Sequence, residues 1–408
     1  MSATDPSVTR PVETPAAAPA PGGLARFARA AISPRGAVYL LLLVLLVAVA
    51  ILNPSFAEPG QLVRYIQRVA PIALVAIGQY FVIVSGEFDL SQGSLVTTQV
   101  VLAGTLIGQD DAKVIPVLLL LIVLGAVVGI VNGIVTTFLK VPSFIVTLGM
   151  MLVLYGGVMW WTGGAATGNP ADSFRQVGRG GIEGLPVIGL LPWAVLVLAA
   201  VVAVAAWLSR RPFGRTLVAI GDNSAAGVFA GASVWRTKTA AFVISSLCAT
   251  VAGVLLVGYA GVHPSVGRGY EFIAITAVVL GGVVLGGGRG SVWGALAGAF
   301  ALETLFTLLN FTSVPSTMRD AIQGAIIIAA VAYSGAAFRA RRKRPTSGLG
   351  AVADAGAPGP VVDADAGASA GAHEPPGTSG IDPTGSTPSP DPAGTAAVRG
   401  EQKKENRS

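Results

Sequence analysis

Apolar residues follow one another along this chain in long unbroken stretches, unlike the alternation of strands or the single stripe of a surface helix. At roughly 17–25 residues per membrane-crossing helix, about ten stretches qualify: 36–53, 69–85, 93–109, 114–138, 143–162, 187–208, 239–260, 271–286, 292–310 and 318–337. The expected fold is therefore an all-α membrane protein of about ten transmembrane helices. The second and eighth stretches are short and flanked by glycine. Residues 60–69 differ from the rest. Leu62, Val63, Ile66 and Val69 alternate with Arg64, Gln67 and Arg68 at helical spacing, the pattern of a short helix lying in the membrane interface. No small-residue cleavage site follows the first stretch, so it reads as a retained helix. The membrane domain spans 35–338. It is preceded by a tail, 1–34, rich in Ala, Pro, Thr and Arg, and followed at 339–408 by a basic stop and a Gly/Ala/Pro/Asp/Ser tail. Both tails lack the large apolar residues a packed core needs and are expected to be disordered.

Composition agrees: of 408 residues 52% are hydrophobic and only 12% charged, the balance of a polytopic membrane protein. The net charge of +6 does not point to nucleic acid, because the basic residues sit at the ends of apolar stretches. One set of loops holds Arg26, Arg29, Arg35, Lys140, Arg210, Arg211, Arg215, Arg236, Lys238, Arg289 and the basic cluster at 339–344; the opposite set holds Arg64, Arg68, Lys113, Arg175, Arg179, Arg268 and Arg319. The richer side is cytoplasmic by the positive-inside rule, which puts both termini and both tails inside. Cys248 is the single cysteine, so no intramolecular disulfide forms. The two histidines, His263 and His373, are far apart and have no cysteine companions; no metal and no cofactor is expected.

Against this apolar background one segment stands out: Ser85-Gly86-Glu87-Phe88-Asp89-Leu90-Ser91-Gln92-Gly93-Ser94. Carboxylates at membrane depth are costly and usually face protein or an aqueous pathway, and glycines allow non-helical backbone there only under cover. Glu87, Asp89, Ser91 and Ser94 are thus read as a broken-helix element lining a pathway; a solvated turn with the serines as helix caps is the competing reading. Glu303 lies deep in its stretch, and a hydrogen bond to a neighbouring helix competes with a transport role; Glu271 and Asp320 are further acids near crossings. The cytoplasmic loop 209–238 is long enough to hold a short helix capped by Asp222 or Asn223 and ended by Gly231, suited to docking a partner; an ordinary surface loop is the alternative. The outer loop 163–186 either receives an extracytoplasmic partner or merely connects. Gly281 to Gly290 has the glycines of a phosphate cradle but lacks the Lys-Ser/Thr ending and a preceding strand. It reads as a tight helical hairpin, continued by Gly294 and Gly298 as a small-residue packing face. Without a phosphate-binding motif the chain is not expected to hydrolyse ATP.

These motifs, in this order, resemble bacterial ABC importer permeases of the ribose/xylose/galactose type, a branch that also imports autoinducer-2, within the branched-chain-amino-acid/ribose permease superfamily. The resemblance covers about 36–337. Gly86-Glu87-Phe88-Asp89-Leu90-Ser91-Gln92-Gly93-Ser94 is similar to the family's Gly-Gly-Ile-Asp-Leu-Ser-x-Gly-Ser. Pro142 to Met150 is similar to its Phe-Ile-x-Thr-Leu segment, Gly214 to Ala232 to its coupling segment, and Gly269-Tyr270-Glu271 through Gly282 to its eighth helix. Two positions depart: Glu87 stands where a small residue is usual, and Ser224 where the coupling segment usually has Glu. The resemblance implies a permease of the bacterial inner membrane that pairs with a second permease subunit, docks ATP-binding subunits inside and receives a monosaccharide from a solute-binding protein outside. Gly214, Asn223, Ala225, Ala226, Phe229 and Gly231 would then form the coupling surface, with Phe229 as an aromatic anchor. The rival class is a proton-coupled secondary transporter using Glu87, Asp89 or Glu303, which has no need of the 209–238 segment.

Overall fold

The computed structural model describes residues 36–165, 168–312, 315, 318, 321–329 and 332. Both tails, Arg319, Asp320 and much of the last expected crossing lie outside the described residues; 321–329 is helical. The membrane domain is built from α1 (Ala37–Leu52), α2 (Pro59–Val84), α3 (Gln92–Ile107), α4 (Val114–Thr137), α5 (Ser143–Thr162), α6 (Asp172–Arg179), β1 (Gly181–Leu185), β2 (Gly189–Pro192), α7 (Trp193–Arg210), α8 (Pro212–Asp222), α9 (Ser224–Phe229), α10 (Val234–Ala260), α11 (Tyr270–Leu280) and α12 (Val292–Phe311). Six described helices are long and apolar enough to cross a membrane, and α1, α3 and α11 are shorter apolar helices. Helices dominate because a chain in hydrocarbon must satisfy its backbone within each segment.

Burial sorts the helices into layers. In α2 and α10, 83% and 67% of the most apolar stretch is buried; in α4, α5 and α7 the shares are 28%, 17% and 28%. The first two are the axis of the bundle and the last three its rim. α10 packs along α4, α2 and α3, while α11 and α12 pair with each other and lie on α2, with α1 against α12. The α11–α12 pair is close because Gly298 has no side chain: a Cβ there would stand 1.9 Å from the Ala277 carbonyl oxygen.

Three expectations need correction. The interfacial helix at 60–69 and the second crossing are one helix of 26 residues, α2. Pro71 lies inside it and forfeits one backbone bond, a loss tolerated where neighbouring helices enclose the segment. The sixth stretch begins at Trp193 rather than at 187, because Ile188, Leu190 and Leu191 belong to an antiparallel hairpin in which Ile182 faces Leu191. That hairpin also qualifies the all-α expectation. The eighth stretch is helical only over the 11 residues of α11; its glycine-rich continuation is a turn.

Candidate functional site

The break between α2 and α3 is built by its sequence. α2 ends in a Schellman motif: Gly86 takes φ +87°, its N–H donates to Ile83 O at 2.9 Å and the Glu87 N–H donates to Val82 O at 3.2 Å. A residue with a Cβ adopts that φ poorly. Residues 87–90 then run non-helically to the start of α3. Asp89 sits at the centre of the break, fully buried. Its Oδ1 accepts from the Ser91 N–H (3.0 Å) and the Ser91 hydroxyl (2.6 Å), and its Oδ2 from the Ser245 hydroxyl of α10 (2.6 Å). The Asn132 amide of α4 donates to Ser91 Oγ at 2.9 Å, and the Gln92 amide donates to Ser245 Oγ at 2.7 Å. One carboxyl group thus gathers α3, α4 and α10, and both of its oxygens have the hydrogen-bond partners that a buried polar group requires.

The other expected residues fall around this hub or away from it. Glu87 Oε1 accepts from Lys238 Nζ at 2.6 Å, with 18% and 11% of the two side chains exposed. The Phe88 backbone is held by α5, where Ser143 Oγ accepts its N–H (3.1 Å) and Thr147 Oγ1 donates to its carbonyl (3.3 Å). Ser94 is half-buried one turn into α3. Glu303 is half-buried on α12, which packs chiefly on α11, α1 and α2; it lies within electrostatic reach of Tyr65, Tyr259 and Tyr270, a different neighbourhood from the break. Glu271 is buried at the start of α11, against the Cα of Gly93.

Sequence reasoning missed the polar seam that continues from the hub. Gln99 of α3 donates to Leu121 O (3.0 Å) and to Thr250 Oγ1 of α10 (2.8 Å), and the Gly267 N–H donates to Thr97 Oγ1 (3.0 Å). The available signal was the seven-residue spacing of Gln92 and Gln99, which puts both amides on one face of α3.

Within the 209–238 segment the chain leaves α7 at Arg210, forms the two short helices α8 and α9, and enters α10 at Val234. Asn223 Oδ1 accepts the Ala226 N–H at 3.0 Å and caps α9, and Gly231 takes φ +79° just beyond it. Ala225 and Ala226 are exposed, and Phe229 is 90% exposed, the most open of the large apolar side chains described. Gly214 is buried against the Ser209 backbone. α8 sits directly under the break. Phe213 packs on Phe81 of α2 with ring centroids 6.2 Å apart. A Cβ on Gly221 would stand 1.9 Å from Val84 O, the same carbonyl that accepts the Gly288 N–H at 2.9 Å. The 281–290 glycines are therefore a close-packed turn wedged between α8 and the end of α2.

Comparison of the sequence with known proteins places the chain in a family. The family described as "Branched-chain amino acid transport system / permease component" matches residues 61–331. The chain is 37% identical over 303 residues to the ribose import permease protein RbsC of Bacillus subtilis (strain 168), covering 72% of this chain and 90% of that protein. It is 34% identical over 297 residues to RbsC of Escherichia coli (strain K12), covering 71% and 90%. To the autoinducer 2 import system permease protein LsrC of Enterobacter sp. (strain 638) it is 32% identical over 300 residues, covering 73% and 85%. No solved structure matches. The chain belongs to this ABC-importer permease family of the ribose and autoinducer-2 type, and is a multi-pass transport subunit of the bacterial plasma membrane rather than an enzyme.

Proposed function

We propose that the chain forms the membrane pathway for a monosaccharide of the ribose/xylose/galactose kind, as one of two permease subunits. Each subunit docks a cytoplasmic ATP-binding partner on α9 and receives its solute from an extracytoplasmic binding protein. The observation that carries this reading is the seating of α8 on the end of α2 beside an exposed Phe229. A push on α9 reaches the break through backbone contacts, so a partner's ATP cycle has a short mechanical route to a two-state membrane domain. Asp89 and Ser91 hold the break to α10 and α4; Ser94 and Glu303, both half-buried, would line the pathway. In the same proposal about ten crossings leave both termini cytoplasmic. Cys248 is buried and is the only cysteine, so single cysteines introduced at residue 170 or 30 can be labelled without background; labelling of residue 170 from inside only would invert the topology.

Autoinducer-2 or another polyol is the second reading, carried by the LsrC relative. The proton-relay reading draws less support, since both Asp89 oxygens accept hydrogen bonds and Glu87 is paired with Lys238. The test is uptake of labelled pentoses, hexoses and autoinducer-2 in a deletion strain, with Ala226→Arg beside the wild type. An arginine on that exposed turn places an unmatched charge at the contact. Insertion should persist while ATPase co-purification and uptake are lost. Normal co-purification and uptake in Ala226→Arg would return α9 to an ordinary loop.

A further inference from the structure

At the C-terminal end of α7, on the side of α8 away from the exposed Phe229 turn of α9, the protein has a groove of about 680 Å³ lined by Ala203, Ala206, Trp207, Arg210, Arg211, Pro212, Arg215 and Trp293. Its three arginines and two tryptophans are exposed. No carboxylate lines it, and none of the three arginines forms an ion pair among the described residues. The Arg211 guanidinium lies 4.7 Å from the centre of the Trp207 ring, which fixes one of the three charges. The first turn of α8 also opens into this corner without a side-chain cap, adding its partial positive charge.

The walls say what kind of anion fits. Trp207 and the alanines belong to the last turns of α7 and Trp293 to the first turn of α12, so the groove runs down onto a membrane-helix face on which Leu196 and Val204 stay exposed. Tryptophans at this level are interface anchors, and basic pockets between helices on the cytoplasmic side take lipid head groups. A free phosphate would use the arginines and leave the apolar wall empty; a phospholipid uses both. We propose that this groove is a binding site for an anionic phospholipid, with the phosphate on Arg210, Arg211 and Arg215 and the acyl chains along α7.

The test is native mass spectrometry and thermal unfolding of the purified full chain in detergent, with phosphatidylglycerol, cardiolipin, phosphatidylcholine or inorganic phosphate added. Phosphatidylglycerol and cardiolipin should be retained as adducts and raise the unfolding temperature; phosphatidylcholine and inorganic phosphate at equal concentration should not. Arg211→Gln with Arg215→Gln should weaken anionic-lipid binding about thirtyfold, and Arg211→Lys with Arg215→Lys should keep most of it. Trp207→Leu, on an exposed side chain, should cost about threefold. Equal retention of phosphatidylcholine, equal protection by inorganic phosphate, or unchanged adducts in the Gln variant would each overturn the proposal. So would a Gln variant that loses its ATPase while lipid adducts persist, which would make the groove a protein contact.

Discussion

The Glu87–Lys238 pair joins the first residue after the Gly86 turn to the first turns of α10, just past α9. At 2.6 Å and an effective dielectric of about 20, the gross attraction is about 6 kcal/mol. Desolvation of two largely buried ions removes several kcal/mol of that. Removing one partner from a fully buried pair costs about 3–5 kcal/mol. Here the orphaned side chain, 11% or 18% exposed, can turn toward water, so about 2 kcal/mol is expected for Glu87→Gln or Lys238→Met alone. The double variant leaves no orphan and should lose only about 1 kcal/mol, which makes the coupling about 3 kcal/mol, the upper end for contacting residues. The assay is reversible unfolding of the purified permease by SDS titration across the four-protein cycle, at low and at high salt. Coupling below about 0.5 kcal/mol would mean that the pair is a solvated contact, and Glu87 would no longer count as a fastening of the break to α10.

Two further outcomes are expected at the same site. Asp89→Ala leaves the Ser91 N–H and the Ser245 hydroxyl without their acceptor; a loss of about 2–4 kcal/mol and of uptake is expected, and full uptake at normal expression would reduce the hub to a decoration. Gly221→Ala sets a methyl 1.9 Å from Val84 O and 2.6 Å from Gly288 N, whereas a methyl on Gly149 meets nothing within 4 Å; overpacking of about 1–3 kcal/mol and reduced uptake should appear in the first and not in the second, as read by thermal unfolding and transport.

Most of the bundle was legible because aliphatic runs such as α4 leave the backbone no option but helix. What the runs hid were their ends. The alternation of Arg64, Gln67 and Arg68 with apolar residues read as a separate interfacial helix, yet α2 runs on from it without a break into the fully buried stretch 69–84, packed on α10, α11 and α12. Likewise residues 187–192 counted as the start of a crossing, although 187 and 188 lie in a turn and Gly189–Pro192 is the returning strand of a hairpin. Hydropathy measures whether a segment avoids water; it does not measure which neighbours cover it.

The same limit governs the site. Asp89 was visible because a carboxylate in an apolar domain stands out, and Asn223 because a cap acts within three residues of itself. The meaning of Asp89 was not visible, because its partner Ser245 lies 156 residues away in a stretch where a serine looks incidental. Lys238 was counted as a topology signal and is also the counter-ion of Glu87, 151 residues earlier. Both long-range partners lie on α10, the helix that starts just after α9 and is buried along the axis of the bundle. α10 therefore receives the hub, the ion pair and the polar seam together. A displacement of α9 and α8 that shifts α10 by even a fraction of a turn must act on Asp89, Glu87 and Gln99 at once, because each is bonded to that one helix.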